Sequence, residues 1–362
     1  MRRTLKLILV FLSFLALVVL FLLTIFWFRN RAFLGNPEEE FMGYLDQNQF
    51  DFNSQKLVKG DKLPFFNSDF YQNDIVLLGE IHGYADVQEI DEALFIHLNK
   101  TKGTRTYLIE LDEAGAAQLN KYLSTSPKDN ALLESAVLKL REVVPQQAGK
   151  QWIQKWSNLY DYNLNLPTSA KIKVVGLDWA EHQKGQGLSR DEIMVENFKQ
   201  AIQNEGLVGE SFYGFFGLMH VLQEKLPNSD YSYLAARLKK EGYTLSSIVC
   251  LDVESEVYLP ANDIMPITPK DGKTKLMSMN GPIILLKGVL DFMAITQPHS
   301  ITLFNLNKSY SPYRVKGIEK LHVRINFIGS DIQMVSKEHC PTDFTQYIVF
   351  MRGAKPITPL NE

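Results

Sequence analysis

The sequence predicts an α/β fold: a mostly parallel central sheet with helices on both faces and helical insertions, preceded by one transmembrane helix. Three observations carry this. Short apolar runs alternate with stretches whose apolar residues recur at helical spacing. Those runs are continuous rather than alternating, as in strands of a parallel sheet covered on both faces. The N-terminal stretch is an almost unbroken apolar segment between basic flanks.

Taken in order, Leu7 to Phe28 has only Ser13 and Thr24 as polar members, a length that spans a hydrocarbon core as a helix. It ends in Phe26-Trp27-Phe28 and Arg29, with no small-residue cleavage site, so it reads as an uncleaved, single-pass signal-anchor. A core helix would show a polar face, and this one has none. Arg2, Arg3, Lys6 and the terminal amine flank one end; Arg29 and Arg31, then Glu38-Glu39-Glu40, flank the other. The positive-inside bias puts the N-terminus in the cytoplasm and the domain in the periplasm or outside the cell. Residues 1–31 are thus the anchor, 32–70 a polar and aromatic tether and lead-in, and 71–362 the α/β domain.

The chain of 362 residues, 45% hydrophobic, suffices for one large domain or two modest ones. Setting aside Arg2, Arg3, Lys6, Arg29 and Arg31 leaves 33 of the 38 basic residues against 41 acidic ones, a balance of −8. With no dense basic stripe, nucleic acid is excluded as a partner. Cys250 and Cys340 are too few for a disulfide scaffold and either pair with each other or stay as thiols.

Ile75 to Leu78 opens the first strand, which runs into Gly79-Glu80-Ile81-His82-Gly83. Val87, Ile90, Leu94 and Leu98 stripe a helix over 85–99. A strand over 106–111 and a helix over 114–123 follow, then a helical insertion over 124–168. In that insertion Trp152, Trp156 and Tyr160 share a face. Packing on the core is the plainer reading of them, a substrate-pocket wall the sharper one. A strand over 172–177 leads to Asp178, and the capping box Ser189-x-x-Glu192 opens a helix to Asn204. A strand over 212–216 leads to Gly217 and His220, a helix spans 231–241 and a strand 245–253. Pro260, Pro266, Pro269 and Gly272 punctuate a lid-like loop over 254–282, and strands recur at 300–306 and 321–328.

Four strands therefore end on polar groups: Glu80 and His82, Glu110, Asp178, and His220. Any one of these is ordinarily a capped or solvated strand end. Four together point to a site, because open parallel sheets bind ligands beyond their carboxyl ends. Residues i and i+2 of an extended chain point the same way, so Glu80 and His82 face a common cleft. A carboxylate beside an imidazole orients the ring and raises its pKa, which makes a general base for water. Gly79 and Gly83 let the backbone approach a substrate closely. Arg190 lies in the first helical turn, where a cation opposes the dipole; it is either a tolerated surface arginine or a cation aimed at an oxyanion. Asn197, seven residues on, shares its face as a hydrogen-bond donor, and His182 in "LDWAEHQ" can reach the cleft. With no G-x-S-x-G and no cysteine nucleophile motif, activated water fits better than a covalent intermediate. There is no H-E-x-x-H and no close Cys/His set. No cofactor is required, although a divalent metal on His82, His220 and carboxylates is compatible with these residues.

"LLGEIHG", "LIELD", "VVGLDW", "SRDEIMVENF" and "FYGFFGLMH" occur in an order that resembles the erythromycin esterase-like family, within a superfamily that includes ChaN-like haem-binding lipoproteins and the TraB/Tiki proteins. The resemblance covers residues 73–225. It implies a parallel α/β core with helical insertions, His82 as the water-activating histidine and Glu80 as its partner. It further implies Glu110 and Asp178 as acidic strand ends, Arg190, Asp191, Met194 and Asn197 as the R-D-x-x-M-x-x-N helix, and His220 as the late histidine. One residue separates Glu80 from His82, as in the ChaN and TraB branches; the esterases usually have two. The leading expectation is a membrane-anchored hydrolase acting on an ester, lactone or amide of a small molecule. The alternatives are a haem- or ligand-binding protein with Tyr84 as an axial ligand, and a metal-dependent protease of the Tiki/TraB type.

Overall fold

The computed structural model describes residues 2–185, 187–261, 270–326 and 330–360. An eight-stranded sheet, mostly parallel, organises the chain. Helix α1 (Arg2–Leu34) leads to α2 (Glu39–Gln47), β1 (Gln49–Asp51), α3 (Ser54–Leu57) and α4 (Ser68–Gln72). Strand β2 (Ile75–Glu80), α5 (Asp86–Lys102) and β3 (Thr106–Ile109) follow, then α6 (Glu113–Ser124), α7 (Asn130–Val143) and α8 (Lys150–Leu164). Next come β4 (Lys173–Gly176), α9 (Arg190–Glu205), β5 (Phe212–Gly217), α10 (Leu234–Lys240) and β6 (Leu245–Val253). The C-terminal part holds β7 (Val257–Tyr258), β8 (Lys273–Thr274), β9 (Ile284–Leu286), α11 (Val289–Ile295) and β10 (Ile301–Asn305). It closes with β11 (His322–Ile325), β12 (Ser330–Gln333), α12 (Pro341–Phe344) and β13 (Tyr347–Arg352).

The main sheet runs β1-β10-β13-β6-β2-β5-β3-β4. From β13 to β4 every pairing is parallel; β10 and β1 extend it antiparallel. Successive strand residues face opposite ways. Val76 and Leu78 join the core under α5, α6, α7 and α8, while Ile75 and Leu77 join the core under α9 and α10. The apolar run is continuous because both faces are covered. Trp152, Trp156 and Tyr160 are buried in the first of these cores, which is the packing role rather than a pocket wall.

Several expectations are corrected. Residues 32–70 are no tether: β1 pairs with β10, the Tyr44 hydroxyl donates to the Asn305 carbonyl at 2.6 Å, and the Phe66 and Phe70 rings stack. The partners of Tyr44 and β1 lie far along the chain, 261 residues on for the Tyr44 hydroxyl, so no local period marks them. The described part of the 254–282 loop is pinned rather than free, with β7 paired to β8 and the Tyr258 N–H donating to the Gly83 carbonyl at 3.1 Å. Its residues 262–269, like 327–329 of the expected strand over 321–328, lie outside the described residues. Cys250 and Cys340 are buried, free thiols.

At about 1.5 Å per residue, the 33 residues of α1 outrun a hydrocarbon core of about 30 Å. Its Thr4–Leu34 portion, which contains an 18-residue window of mean hydropathy 3.2, is long and apolar enough to cross a membrane. The last turns stand on the small sheet β12-β11-β9: Phe33 packs edge-on to His322 and lies under the Arg324 guanidinium.

Gly176 shows how tightly the strand ends are assembled. A Cβ there would lie 2.3 Å from the Asp112 carbonyl oxygen and 2.7 Å from that of Leu111. The segment after β3 thus crosses directly over the end of β4, bringing Glu110 and Asp178 close. Because the obstruction is backbone, Gly176→Ala is expected to cost about 1–3 kcal/mol, read as a lower urea midpoint at unchanged m-value.

Candidate active site

Glu80, the last residue of β2, continues the even-numbered series and is buried beneath the α5–α8 layer. His82 Nδ1 lies 2.9 Å from Glu80 Oε1, a bond that assigns the Nδ1–H tautomer and leaves Nε2 as the free acceptor. The Gln147 amide, from the link between α7 and α8, also donates to Glu80 Oε1 and stands 3.0 Å from His82 Nδ1. Glu80 Oε2 is buried with no protein partner. Burial pushes the Glu80 carboxyl up, and the opposing pull of His82, Lys155 and Gln147 leaves it raised.

His220 repeats the pattern from the other face. Its Nδ1 lies 2.7 Å from Asp191 Oδ1, and Asp191 is itself held by the Tyr231 hydroxyl and the Leu234 N–H, each at 2.6 Å. Between the two imidazoles sits Glu110. Its Oε2 accepts from the Gly217 N–H at 2.7 Å and lies 4.0 Å from His82 Nε2. Its Oε1 accepts from Arg190 at 2.8 Å and lies 3.7 Å from His220 Nε2. Burial would raise Glu110, but His82, His220 and Arg190 hold it down at about 2.

Arg190 opens α9 with its guanidinium bidentate on Asp178, Nε to Oδ1 at 2.8 Å and Nη2 to Oδ2 at 2.7 Å. These carboxylates explain a cation in a first helical turn. Its remaining nitrogen, Nη1, is 3.5 Å from His220 Nε2 and points into the cluster. Two buried carboxylates, Glu110 and Asp178, thus share one permanent cation. Burial pushes both imidazoles down, yet their carboxylate partners and Glu110 more than offset it, so His82 and His220 are each raised above 6.5. Gly217 keeps the centre open, since a Cβ there would lie 3.1 Å from His82 Nε2.

The other expected residues stand elsewhere. Tyr84 is fully buried and its hydroxyl donates to Asp252 Oδ2 at 2.6 Å, so it does not face the cleft. Gly83 (φ +111) gives its space to the Tyr258 carbonyl, 2.3 Å from where a Cβ would be, and Gly79 yields to Val221. Both glycines admit the protein's own chain, not a substrate. Asn197 spends its amide on the Leu177 and Asp178 carbonyls at 3.0 and 3.1 Å, which fixes the strand end that carries Asp178. His182 is exposed and lines, with Asp178 and Asn197, a neighbouring cavity of about 320 Å³ whose walls do not include His82, Glu110 or His220. Asp191 adjoins Arg190 in the motif "SRDE" and had that signal; Gln147 had none.

Two observations bear on the haem and metal expectations. The Tyr84 oxygen expected to meet haem iron is buried and engaged. Among the described residues no three His, Cys, Asp or Glu side chains are grouped to hold a metal ion. The Arg190 guanidinium already fills the cation position against Glu110 and Asp178.

The sequence matches no protein-family profile and no curated protein sequence. Solved structures share the fold. A mutant of the erythromycin esterase EreC in its open conformation superposes with a TM-score of 0.57 at 10% identity, covering 87% of this chain and all (100%) of that one. A succinoglycan biosynthesis protein gives 0.59 at 11% identity, with 88% and 97% covered. A Bacillus cereus protein gives 0.55 at 13% identity, with 86% and 100% covered. At these identities the likeness is one of fold.

Proposed function

We propose that this chain is a membrane-anchored hydrolase in which His82 activates water against an ester, lactone or amide carbonyl. One observation carries the reading: two carboxylate-backed imidazoles converge on Glu110 and on Arg190 Nη1, the guanidinium nitrogen that no carboxylate takes, at the carboxyl end of a parallel sheet. The shared fold with an erythromycin esterase supports it. Water gives a proton to His82 Nε2 as its oxygen adds to the carbonyl carbon. Nη1 of Arg190 stabilises the oxyanion. As the tetrahedral species collapses, protonated His220 passes its Nε2 proton to the departing oxygen or nitrogen. Glu80 and Asp191 hold the two rings in the tautomers these steps need. The slightly more basic N-terminal flank of α1 supports a cytoplasmic N-terminus, with the site facing the periplasm or cell exterior and its substrate met there.

The pH dependence tests the pairing. The reaction needs neutral His82 and protonated His220. Activity should rise as pH climbs through one apparent pKa and fall through a second, both above the ordinary histidine value of about 6.5 because both rings are raised. Asp191→Asn removes the carboxylate behind His220, so the alkaline limb should move to lower pH while the acid limb stays. A kcat/KM profile whose alkaline limb ignores Asp191→Asn would remove His220 from the proton-donating role.

A further inference from the structure

The exit of α1 borders a second cavity, a groove of about 1130 Å³ lined by Arg29, Met219, Tyr233, Arg324, Asn326 and Ile332 among others. Arg29 is the first residue after the apolar run. The helix is docked beside the groove: the Arg29 guanidinium donates to Asn326 Oδ1 at 2.6 Å, and the Asn326 amide donates to Asn30 Oδ1 at 3.2 Å. The mouth of the groove therefore lies at the level where α1 leaves hydrocarbon. Two guanidiniums, Arg29 and Arg324, face it against one carboxylate, Asp331. Arg29 is bonded to an amide, not a carboxylate. Asp331 is 2.9 Å from His322 but 4.0 Å from Arg324. The remaining wall mixes apolar side chains, Met219, Leu226, Ile325 and Ile332, with neutral polar ones, Asn228, Ser229 and Asn326. Net positive charge at headgroup depth, neutral hydrogen-bonding groups beside apolar ones, and an adjoining lipid-facing helix together suit an anionic amphiphile.

We propose that this groove binds the phosphate-bearing headgroup of an anionic bilayer lipid, whose chains stay in the bilayer against α1. The proposal rests on α1 spanning the membrane and does not depend on hydrolysis. It would bring lipid beside the site, because Met219 precedes His220 and Tyr233 precedes Leu234, whose N–H holds Asp191.

The test uses the full-length chain in phosphatidylcholine nanodiscs that hold a minor fraction of phosphatidylglycerol with a photoreactive diazirine on its headgroup, compared with the same label on a choline headgroup. Crosslinks are mapped by peptide mass spectrometry. The anionic probe should label peptides containing Met219, Tyr233 and Ile325 well above the choline probe. Arg29→Gln and Arg324→Gln should each lower that labelling roughly fivefold, the worth of one cation at an anionic surface. Asn228→Asp adds a carboxylate to the groove without touching the α1 contacts, and should lower labelling while the fold is unchanged. Equal labelling by both probes, labelling confined to α1, or indifference to Asn228→Asp would overturn the proposal. Competition by soluble glycerol phosphate would also overturn it, by showing a free-phosphate site. Carbonate extraction is run alongside; release of the chain from membranes would overturn the span itself, and the proposal with it.

Discussion

His82→Ala is expected to slow hydrolysis of responsive esters, lactones or amides by about 10²–10⁴-fold in kcat, the usual worth of a general base. The melting temperature should move by only a few degrees. His82 is partly exposed, with 24% of its side chain open, and it belongs to neither apolar core. The carboxylate it leaves behind can also adapt, because burial already raises Glu80 and removal of the imidazole only strengthens that tendency. Glu80 therefore takes a proton rather than remaining as an unpaired buried charge. Activity and stability thus separate in this variant. Steady-state rates on a panel of chromogenic esters, lactones and anilides, with thermal melts of the same preparations, make the measurement. Undiminished turnover in a folded His82→Ala protein would remove His82 from the chemistry.

Arg190→Met should behave in the opposite way and damage the fold as well as the rate. Glu110 and Asp178 are buried, 2% and 1% exposed, and the guanidinium is the fixed charge that holds both. Removing one partner of a buried ion pair costs about 3–5 kcal/mol, because the remaining charge is left without solvent or counter-ion. Urea titration of tryptophan fluorescence, on the full-length protein in mild detergent, reads that loss. Adding Asp178→Asn to Arg190→Met should recover part of it, since one stranded charge then disappears. The pH dependence supplies an independent check. Glu110 is depressed from 4.5 to about 2 in the fold, so it contributes stability above pH 4.5 that is lost as pH falls toward 2. At about 1.4 kcal/mol per unit this amounts to about 3 kcal/mol in the wild type. Without Arg190 the depression shrinks and the acid limb should become shallower. A variant as stable as the parent, with an unchanged acid limb, would mean that the cluster is not held by its charges.

Much of this arrangement was legible in residues close together along the chain. The sequence by itself determined the apolar strands, the helical stripe of α5, the capping box that opens α9 and the apolar length of α1. Each follows from repeats of two or 3.6 residues, or from a run of one composition, and such patterns are complete within a few turns. It also determined that Glu80, Glu110, Asp178 and His220 stand at strand ends. Tertiary structure alone decided which of them meet. Strand β5 inserts between β2 and β3, so Gly217 and His220 arrive beside Glu110, although Glu110 is adjacent to neither in sequence. Gln147 reaches Glu80 from a link between two inserted helices, where no local period selects one glutamine over another. Tyr84 and Gly83 looked available because they follow His82, but the chain turns there, and Asp252 of β6 and Tyr258 of β7 occupy the space. The lead-in became a sheet edge for the same reason: β1 finds its partner β10 far along the chain. Local pattern sets the direction in which a side chain points; only the order of strands across the sheet sets what it points at.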